Sequence, residues 1–227
     1  MEILENNKRA LKHVMPKFLE QRLAAAGVKN VFLEMAADGE RIFGIERENR
    51  KWYLNSRYDT AFAAAVYAGR YQIRTYGTYF VFGFSDGRHV REFLKKCDDT
   101  NHIVICEPSV EIFEECCEQF DVSDILEDKR VQFYIPDATD SIEDIMKKNL
   151  QYSDFTFTEF CILPGYDILF HEECEEFQNL IIERMRDEAV KKGTSLSFQR
   201  VIPRNTLYNM KHTIRTRNIR QIGRAHV

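Results

Sequence analysis

The 227-residue chain has few residues that break regular structure and lacks the patterns typical of membrane, fibrous or secreted proteins. It contains only 5 prolines and 10 glycines, which excludes collagen-like repeats and low-complexity linkers. Its apolar runs are well short of the roughly 18 residues that a membrane helix needs, so we expect no membrane span. Residues 1–12 mix acids and bases and do not resemble a secretory signal, so we expect a cytoplasmic protein.

Cysteine patterns typical of metal sites are also missing. None of the six cysteines belongs to a CxxC pair or stands at metal-ligand spacing from a histidine. Disulfide frameworks are typical of shorter secreted chains with small cores. We therefore predict free, buried thiols and no metal site. For the adjacent pair Cys116 and Cys117, we expect one thiol to face inward and the other to lie near the rim.

The net charge of −4 gives no sign of nucleic-acid binding, and we expect no nucleic-acid partner. The charges are unevenly distributed, however. The chain from Thr194 onward has no acidic residue and seven basic ones. One explanation is that the matching acidic surface belongs to a part of the protein outside this sequence.

Hydrophobic patterning in the first third predicts helices followed by a small antiparallel sheet. Residues 3–25 have helical periodicity, with Leu11, Val14, Phe18 and Leu23 on one face, and Pro16 is expected to begin a second helical segment that ends at Gly27. Short β-like runs follow at 31–36, 41–46 and 51–55. The Asp38-Gly39 pair predicts a hairpin between the first two runs. Asp59 is placed to cap a helix over 60–71.

From Tyr79 strands and helices alternate, which is typical of a parallel sheet with helices on its faces. We predict strands at 79–82, 102–106, 131–135 and 159–163. Helices are predicted at 88–96, 141–148 and 171–192. Another is predicted to have Pro108 in its first turn and Val110, Ile112 and Phe113 on its apolar side. The fold class is thus α/β, a Rossmann-like and mostly parallel sheet with flanking helices, preceded by a small helix and β-meander subdomain. We place the domain boundaries at 1–75, 76–193, a helical connector at 194–221 and a tail at 222–227.

A candidate cofactor site lies at the first strand-turn-helix unit of the parallel sheet. Gly83, Ser85 and Gly87 form a glycine-containing turn before a helix, which is where Rossmann-like folds bind anions or nucleotides. Glu107 ends the next strand, at a distance along the chain where an acid binds ribose hydroxyls in such folds. The turn lacks a full GxGxxG pattern, so the cofactor stays open between a nucleotide and none. In the alternative, the turn is purely structural, Glu107 is a solvated acid, and Ser85 or Asp86 caps the helix.

Other polar residues are weaker candidates. We expect His89 to be a surface or turn-capping residue and His171 to be a helix-end residue. An acidic run lacks the calcium-loop pattern and fits the cap and outer face of a short helix; it comprises Asp137, Asp140, Glu143 and Asp144. There is no GxSxG elbow and no P-loop, so no catalytic residue is assigned.

Three stretches together resemble the Maf (motility-associated factor) family of flagellin glycosyltransferases. They are YLNSRYD at 53–59, the run from FVFG at 80–83 to GRHVRE at 87–92, and ICEPSVEIF at 105–113. Thr60 stands where the family usually has proline, and Ser85 and Asp86 interrupt its glycine pattern. Residues 204–220, with Asn205 and Asn209, resemble the connector before that family's catalytic Gly-Pro-Ser-Leu segment.

The resemblance implies transfer of a nonulosonic, sialic-like acid from its CMP donor to Ser or Thr of flagellin in the bacterial cytoplasm. The Gly-Pro-Ser-Leu segment and the CMP-sugar site would then lie beyond this chain, in a sialyltransferase-like domain. Residues 222–227 match one reading frame of a common sequencing adapter, so we expect the natural sequence to depart from this one near Gln221.

Three alternatives remain open. The Gly83 turn and Glu107 also suit an S-adenosylmethionine-dependent methyltransferase, although the segment 163–166 after the fourth strand lacks the acid or Asn that often follows it there. A second alternative is a non-enzymatic module that binds a partner protein. An archaeal group related to the resembled family acts on pterin diphosphates, and the SRYD segment argues against it.

Overall fold

The computed structural model describes residues 3–22, 30–136, 138–150 and 157–191. The chain divides into two compact units, Met1–Glu175 and Glu176–Val227. The first unit contains both sheets, and the described part of the second is the continuation of one long helix. The predicted boundary at residue 75 stays a prediction. So do the connector at 194–221 and the tail at 222–227, which lie outside the described residues.

Two short helices open the chain, α1 (Glu5–Val14) and α2 (Pro16–Arg22), and Pro16 begins the second one as predicted. Leu11 and Phe18 are buried, which confirms that part of the predicted apolar face. Val14 is 40% exposed, so its assignment to that face is wrong. Val14 is the last residue of α1. The chain bends at the next residue, Met15, and the Val14 side chain faces solvent. Leu23 and Gly27 lie outside the described residues.

The predicted meander is confirmed as an antiparallel sheet in the order β1-β2-β3, made of Val31–Met35, Arg41–Arg47 and Arg50–Tyr53. At the hairpin, Asp38 Oδ1 accepts from the N–H of Glu40, and Gly39 takes a positive φ of 85°. Helix α3 (Thr60–Gly69) follows, and Asp59 caps it by accepting from the N–H of Phe62 at 2.8 Å.

The second sheet is parallel and has the order β6-β5-β4-β7, which confirms the predicted fold class. Its strands are β4 (Thr78–Phe82), β5 (His102–Cys106), β6 (Val131–Tyr134) and β7 (Thr158–Ile162). The chain runs outward from β4 to β6 and then crosses back to place β7 on the other side of β4. In open α/β sheets such a reversal creates a crevice at the carboxyl ends of the strands, where ligands bind. Here that position is the end of β4.

Helices connect and flank these strands. They are α4 (Arg88–Leu94), α5 (Val110–Gln119), α6 (Ser123–Leu126), α7 (Ile142–Leu150), α8 (Tyr166–Leu169) and α9 (His171–Lys191). No helix in the described ranges is both long and apolar enough to cross a membrane. Strand β4 is buried at all five positions, because sheet neighbours pair on both edges and helices cover its faces.

Two expectations about α5 are wrong. The helix begins after the N-cap Ser109, whose Oγ accepts from the N–H of Ile112, so Pro108 precedes the helix instead of lying in its first turn. Val110, placed on the apolar side, is 38% exposed, whereas Ile112 and Phe113 are buried as predicted.

The thiols are free, as predicted, and five of the six are buried. Cys97 is the exception and is partly exposed near the end of α4. Cys116 and Cys117 are both fully buried, so the expected rim position for one of them is wrong. The reason is that α1 covers this side of α5: the N–H of Leu4 donates to the carbonyl of Cys117 at 3.1 Å.

Asn7 attaches α1 to the parallel-sheet region and was not singled out by the sequence patterns. Its side chain is fully buried. Nδ2 donates to the carbonyls of Cys117 (2.9 Å) and Phe120 (2.7 Å), and Oδ1 accepts from the N–H of Val122 at 3.0 Å. One amide thus satisfies three backbone groups at the end of α5 and the start of the next loop.

Candidate functional site

The glycine-containing turn after β4 has the backbone conformation that the sequence suggested. Gly83 and Gly87 have φ angles of 99° and 76°, in the left-handed region that favours glycine. Ser85 also has a positive φ of 54°, which is unusual for a residue with a side chain. The turn is therefore held in a strained form that its surroundings must stabilise.

Glu107 provides much of that stabilisation. Its carboxylate is fully buried directly behind the turn. Oε2 accepts from the N–H of Phe84 (2.9 Å), from the hydroxyl of Tyr166 (2.8 Å) and, at 3.5 Å, from the N–H of Ser85. Oε1 accepts from the N–H of Ser109 at 3.0 Å. The prediction of a solvated acid, made for the structural alternative, is wrong.

Burial dominates the protonation behaviour of Glu107. Removal from water raises the pKa of its carboxyl group to about 7, against the lowering effect of the hydrogen bonds from Ser109, Tyr166, Phe84 and Ser85. The same surroundings raise the pKa of the Tyr166 hydroxyl well above its usual value. At neutral pH the phenol therefore stays protonated and can donate to the carboxylate.

Tyr166 occupies the space in front of Gly83. A Cβ at Gly83 would lie only 2.7 Å from Cγ of the Tyr166 ring, so the ring packs where a side chain would otherwise stand. Its hydroxyl oxygen also accepts from the N–H of Ser85 at 2.9 Å. Sequence reasoning missed this residue. The available signal was Gly165, which precedes Tyr166 at φ 85° and turns the chain back after β7.

The meander reaches the same place through Asn55, which sequence reasoning also missed as a site residue. Its Oδ1 accepts from the Ser85 hydroxyl at 3.1 Å and from the N–H of Phe43 at 3.4 Å. Asn55, Ser85, Glu107 and Tyr166 thus form one buried, hydrogen-bonded group, which we call the turn cluster. It joins the ends of β3, β4 and β5 to the start of α8.

The chemistry of the turn cluster is that of an internal support. A carboxylate offers about four acceptor positions, two on each oxygen. Three protein donors contact Oε2 of Glu107 and one contacts Oε1, so at most one position, on Oε1, is left. A ribose would need two of those positions free, because its vicinal hydroxyls bind one carboxylate together. Cofactor binding by Gly83, Ser85, Gly87 and Glu107 stays a prediction. In this structure, protein groups occupy most of the acceptor positions of the Glu107 carboxylate.

Two flanking residues have structural contacts. Asp86 Oδ1 accepts from the N–H of Arg88 at 3.0 Å, but the N-cap of α4 is Gly87, so the expected capping of this helix by Ser85 or Asp86 is wrong. His89 is buried, not at the surface as expected, and its ring meets that of Tyr67 edge-on at 5.5 Å. Burial lowers the pKa of His89, which keeps the imidazole neutral near pH 7. The surface prediction failed because α3 covers this side of α4.

The remaining candidates that the structure describes lie apart from the turn cluster. His171 begins α9, as predicted for a helix-end residue, and lies 3.3 Å from Glu175. The N–H of Asp144, in the first turn of α7, donates to Ser141 Oγ, and Asp140 pairs with Lys17 at 3.0 Å. Glu143 lies in the first turn of α7 and Asp137 falls outside the described residues. No group of three or more potential metal ligands occurs among the residues that the structure describes.

A groove of about 470 Å³ lies away from the turn cluster, between the bend at Met15 and strand β6. Lys17, Lys129 and Arg130 line it and make it basic. Two of these cations already have carboxylate partners, since Lys17 pairs with Asp140 and Arg130 pairs with Asp128. We therefore assign no ligand to this groove.

Comparisons with known proteins add little. No protein-family model and no curated protein sequence matches the chain. Among the solved structures that match is the crystal structure of spermidine synthase from Thermotoga maritima, with a TM-score of 0.31 and 14% sequence identity. The match covers 51% of this chain and 50% of that chain, so it spans half the length of the spermidine synthase. The fold assignment rests on the strand order, and this likeness adds nothing about substrate or activity.

Proposed function

We propose that this chain is the front part of a motility-associated glycosyltransferase that transfers a CMP-activated nonulosonic acid to Ser or Thr of flagellin. The described α/β unit is its structural part, and the sugar donor binds in a later part of the protein. The proposal also takes the protein to be cytoplasmic, where flagellin is available as the acceptor.

The observation that carries the proposal is where the three family-like stretches meet. Asn55 comes from the first stretch, the turn from the second and Glu107 from the third, and all three belong to the turn cluster. Segments that are far apart in sequence thus share a single structural task. Each stretch therefore supplies one part of the same buried network.

The same observation supports a non-catalytic role for this unit. Glu107 is the acid best placed at the carboxyl end of the parallel sheet, and its oxygens accept from backbone N–H groups and Tyr166. An acid or base must reach a substrate atom within hydrogen-bond distance. Within the described part of the chain, Glu107 is fully buried and cannot do so without disrupting the turn.

The decisive experiment uses the gene with its natural 3′ continuation. We would express it with flagellin in a strain that makes the CMP-activated sugar and lacks its own flagellin glycosyltransferase, and then measure the intact mass of flagellin. The proposal predicts added nonulosonic acid with the extended protein and none with the 227-residue chain alone. Unmodified flagellin with a well-expressed extended protein contradicts it, as does modification by the short chain.

The methyltransferase alternative makes the opposite prediction for small-molecule binding. S-adenosylmethionine would have to displace the donors that hold Glu107. Calorimetric titration of the chain with S-adenosylmethionine should therefore give no saturable heat. Saturable binding that Glu107→Gln abolishes, while that variant keeps its fold by circular dichroism, would favour the methyltransferase over the glycosyltransferase. Pull-down with flagellin tests the binding-module alternative.

A further inference from the structure

Helix α3 is apolar on both of its faces, although the residues that the structure describes cover only one of them. Ala64, Tyr67 and Ala68 are buried on the inner face, against α4. On the outer face Tyr58, which precedes the helix, is 77% exposed and Phe62 is 67% exposed. Val66, one further turn along, is 41% exposed. Helices that are hydrophobic all round are normally buried on all sides. An uncovered apolar row of this kind marks an interaction surface.

Small residues lie beside this row. Ala61 and Ala65 are exposed, and a Cβ at Gly69 would meet no atom within 4 Å. At about 100° per residue, Ala61, Ala65 and Gly69 form a second row directly next to Phe62 and Val66. The outer face of α3 therefore consists of a bulky row and a small row side by side, which suits close packing against another helix.

Opposite charges stand at the two ends of the same face. Asp59 precedes α3 and Arg70 follows it, and both are exposed. Neither forms an ion pair within the described part of the chain. On a helical projection the two residues lie within about 20° of each other, on one flank of the apolar row. The surface thus carries a negative end and a positive end on the same side.

We propose that the outer face of α3 binds the same face of a second copy of this chain, with the two helices antiparallel about a two-fold axis near Ala65. This two-fold axis leaves each residue of the second copy on the same flank of the interface as in the first copy, and it reverses the order of the residues along the helix. It places Asp59 of one copy beside Arg70 of the other, twice. It also places Phe62 opposite Val66 and Ala61 opposite Gly69, so that a bulky residue meets a bulky residue and a small residue meets a small one.

The charge arrangement selects this occupant. A parallel pairing of two α3 helices would bring Asp59 next to Asp59 and Arg70 next to Arg70, so charge repulsion opposes it. Helix dipoles also favour the antiparallel arrangement. A helix of ten residues is about 15 Å long, so the interface is small and the dimer is expected to be weak.

The test is sedimentation velocity of the 227-residue chain under reducing conditions, over a range of concentrations up to the solubility limit. We expect a concentration-dependent monomer–dimer equilibrium. Phe62→Glu should raise the dissociation constant by at least about tenfold, because it places a charge in the centre of the interface. Ile168→Glu is the matched control, since Ile168 is 62% exposed on another helix and should not affect the equilibrium.

A charge pair provides the second arm. Arg70→Glu should weaken the dimer by opposing Asp59, and adding Asp59→Asn should restore part of the affinity while keeping a good helix cap. Circular dichroism confirms that each variant is folded. A chain that stays monomeric at all concentrations overturns the proposal. So does a dimer that is unaffected by Phe62→Glu, or one that Ile168→Glu disrupts equally. If α3 instead binds flagellin, Phe62→Glu reduces flagellin capture while the wild-type chain stays monomeric.

Discussion

At the scale of single residues, Glu107 does the most to organise the end of the parallel sheet. Its carboxyl group is buried, yet it accepts from backbone N–H groups on two loops and from Tyr166. Burial and hydrogen bonding act in opposite directions on its ionisation, and burial prevails, so its pKa is raised to about 7. Protonation of this one group is therefore linked to the stability of the fold.

We expect Glu107→Gln to lower the free energy of unfolding by about 1–3 kcal/mol, because an amide nitrogen would replace an acceptor in front of backbone donors. The effect should depend on pH. The folded-state pKa of about 7 lies above the ordinary value of 4.5, so the folded protein binds the proton more tightly than the unfolded chain. The contribution of Glu107 to stability is fully present below 4.5 and is lost as pH rises toward 7.

Denaturant unfolding of wild type and Glu107→Gln across this pH range checks that prediction. The difference in unfolding free energy between wild type and variant should shrink between pH 4.5 and 7 and then level off. Subtracting the variant removes the contributions of other carboxyl groups. A difference that grows with pH would show that Glu107 is ionised in the fold over the whole range.

Tyr166→Phe tests the other half of the same contact. The change keeps the ring against Gly83 but removes the acceptor for the N–H of Ser85 and one donor to Glu107. We expect a loss of about 1–3 kcal/mol in unfolding free energy and a further rise in the pKa of Glu107. Tyr76→Phe, at an exposed tyrosine, is the control and should change stability by less than about 0.5 kcal/mol.

At the scale of elements, the strand-turn-helix unit of β4 and α4 depends on two separate properties of Gly83. Its φ of 99° strains any residue with a side chain, and the Tyr166 ring leaves no room for a Cβ. Gly39, in the β1–β2 hairpin, has a φ of 85° but nothing within 4 Å of a built Cβ. Comparing the same substitution at the two glycines therefore distinguishes the cost of backbone strain from the cost of steric overlap.

We expect Gly39→Ala to cost about 1–2 kcal/mol in unfolding free energy, from backbone strain alone. Gly83→Ala should cost at least about 2 kcal/mol more, because the turn or the Tyr166 ring must also move. Thermal unfolding of both variants measures the difference. In Gly83→Ala, near-ultraviolet circular dichroism should also report altered packing of Tyr166. Equal losses in the two variants would mean that Tyr166 moves at little cost.

Sequence patterns predicted most elements to within two residues, because hydrophobic periodicity and local capping are properties of the segment itself. The Asp59 cap and the Asp38-Gly39 hairpin follow from side chains that bond their own neighbours. The failures were of another kind. The buried position of His89 and that of both adjacent cysteines depend on which helix covers them, and no local pattern records this.

At the scale of the whole molecule, the first unit is held together by contacts between residues far apart in the chain. Asn7 is an example, since its amide bonds the backbone at Cys117, Phe120 and Val122. Asn6, its neighbour, lies at the surface of the same helix and donates to Asp121 at 2.8 Å. Two adjacent asparagines thus differ only in burial and in the number of groups they satisfy.

We expect Asn7→Ala to lower the unfolding free energy by about 2–4 kcal/mol, because it leaves several buried backbone groups unpaired. It should also speed hydrogen exchange in α1, which loses its polar attachment. Asn6→Ala should change stability by less than about 0.5 kcal/mol. Denaturant unfolding and exchange mass spectrometry of both variants test this, and similar effects in the two would contradict the role given to Asn7.

The sequence by itself determined the elements, the parallel character of the second sheet and the position of the glycine turn, because these depend on residues within one short segment or on its immediate neighbours. Only the tertiary structure decided what the turn does. It brought Asn55 and Tyr166 to Glu107 and Ser85 from distant parts of the chain, and it buried the carboxyl group that the sequence had left either ligand-binding or solvated. Whether an acceptor is free or already occupied depends on which distant donors approach it, and that is a property of the packed chain.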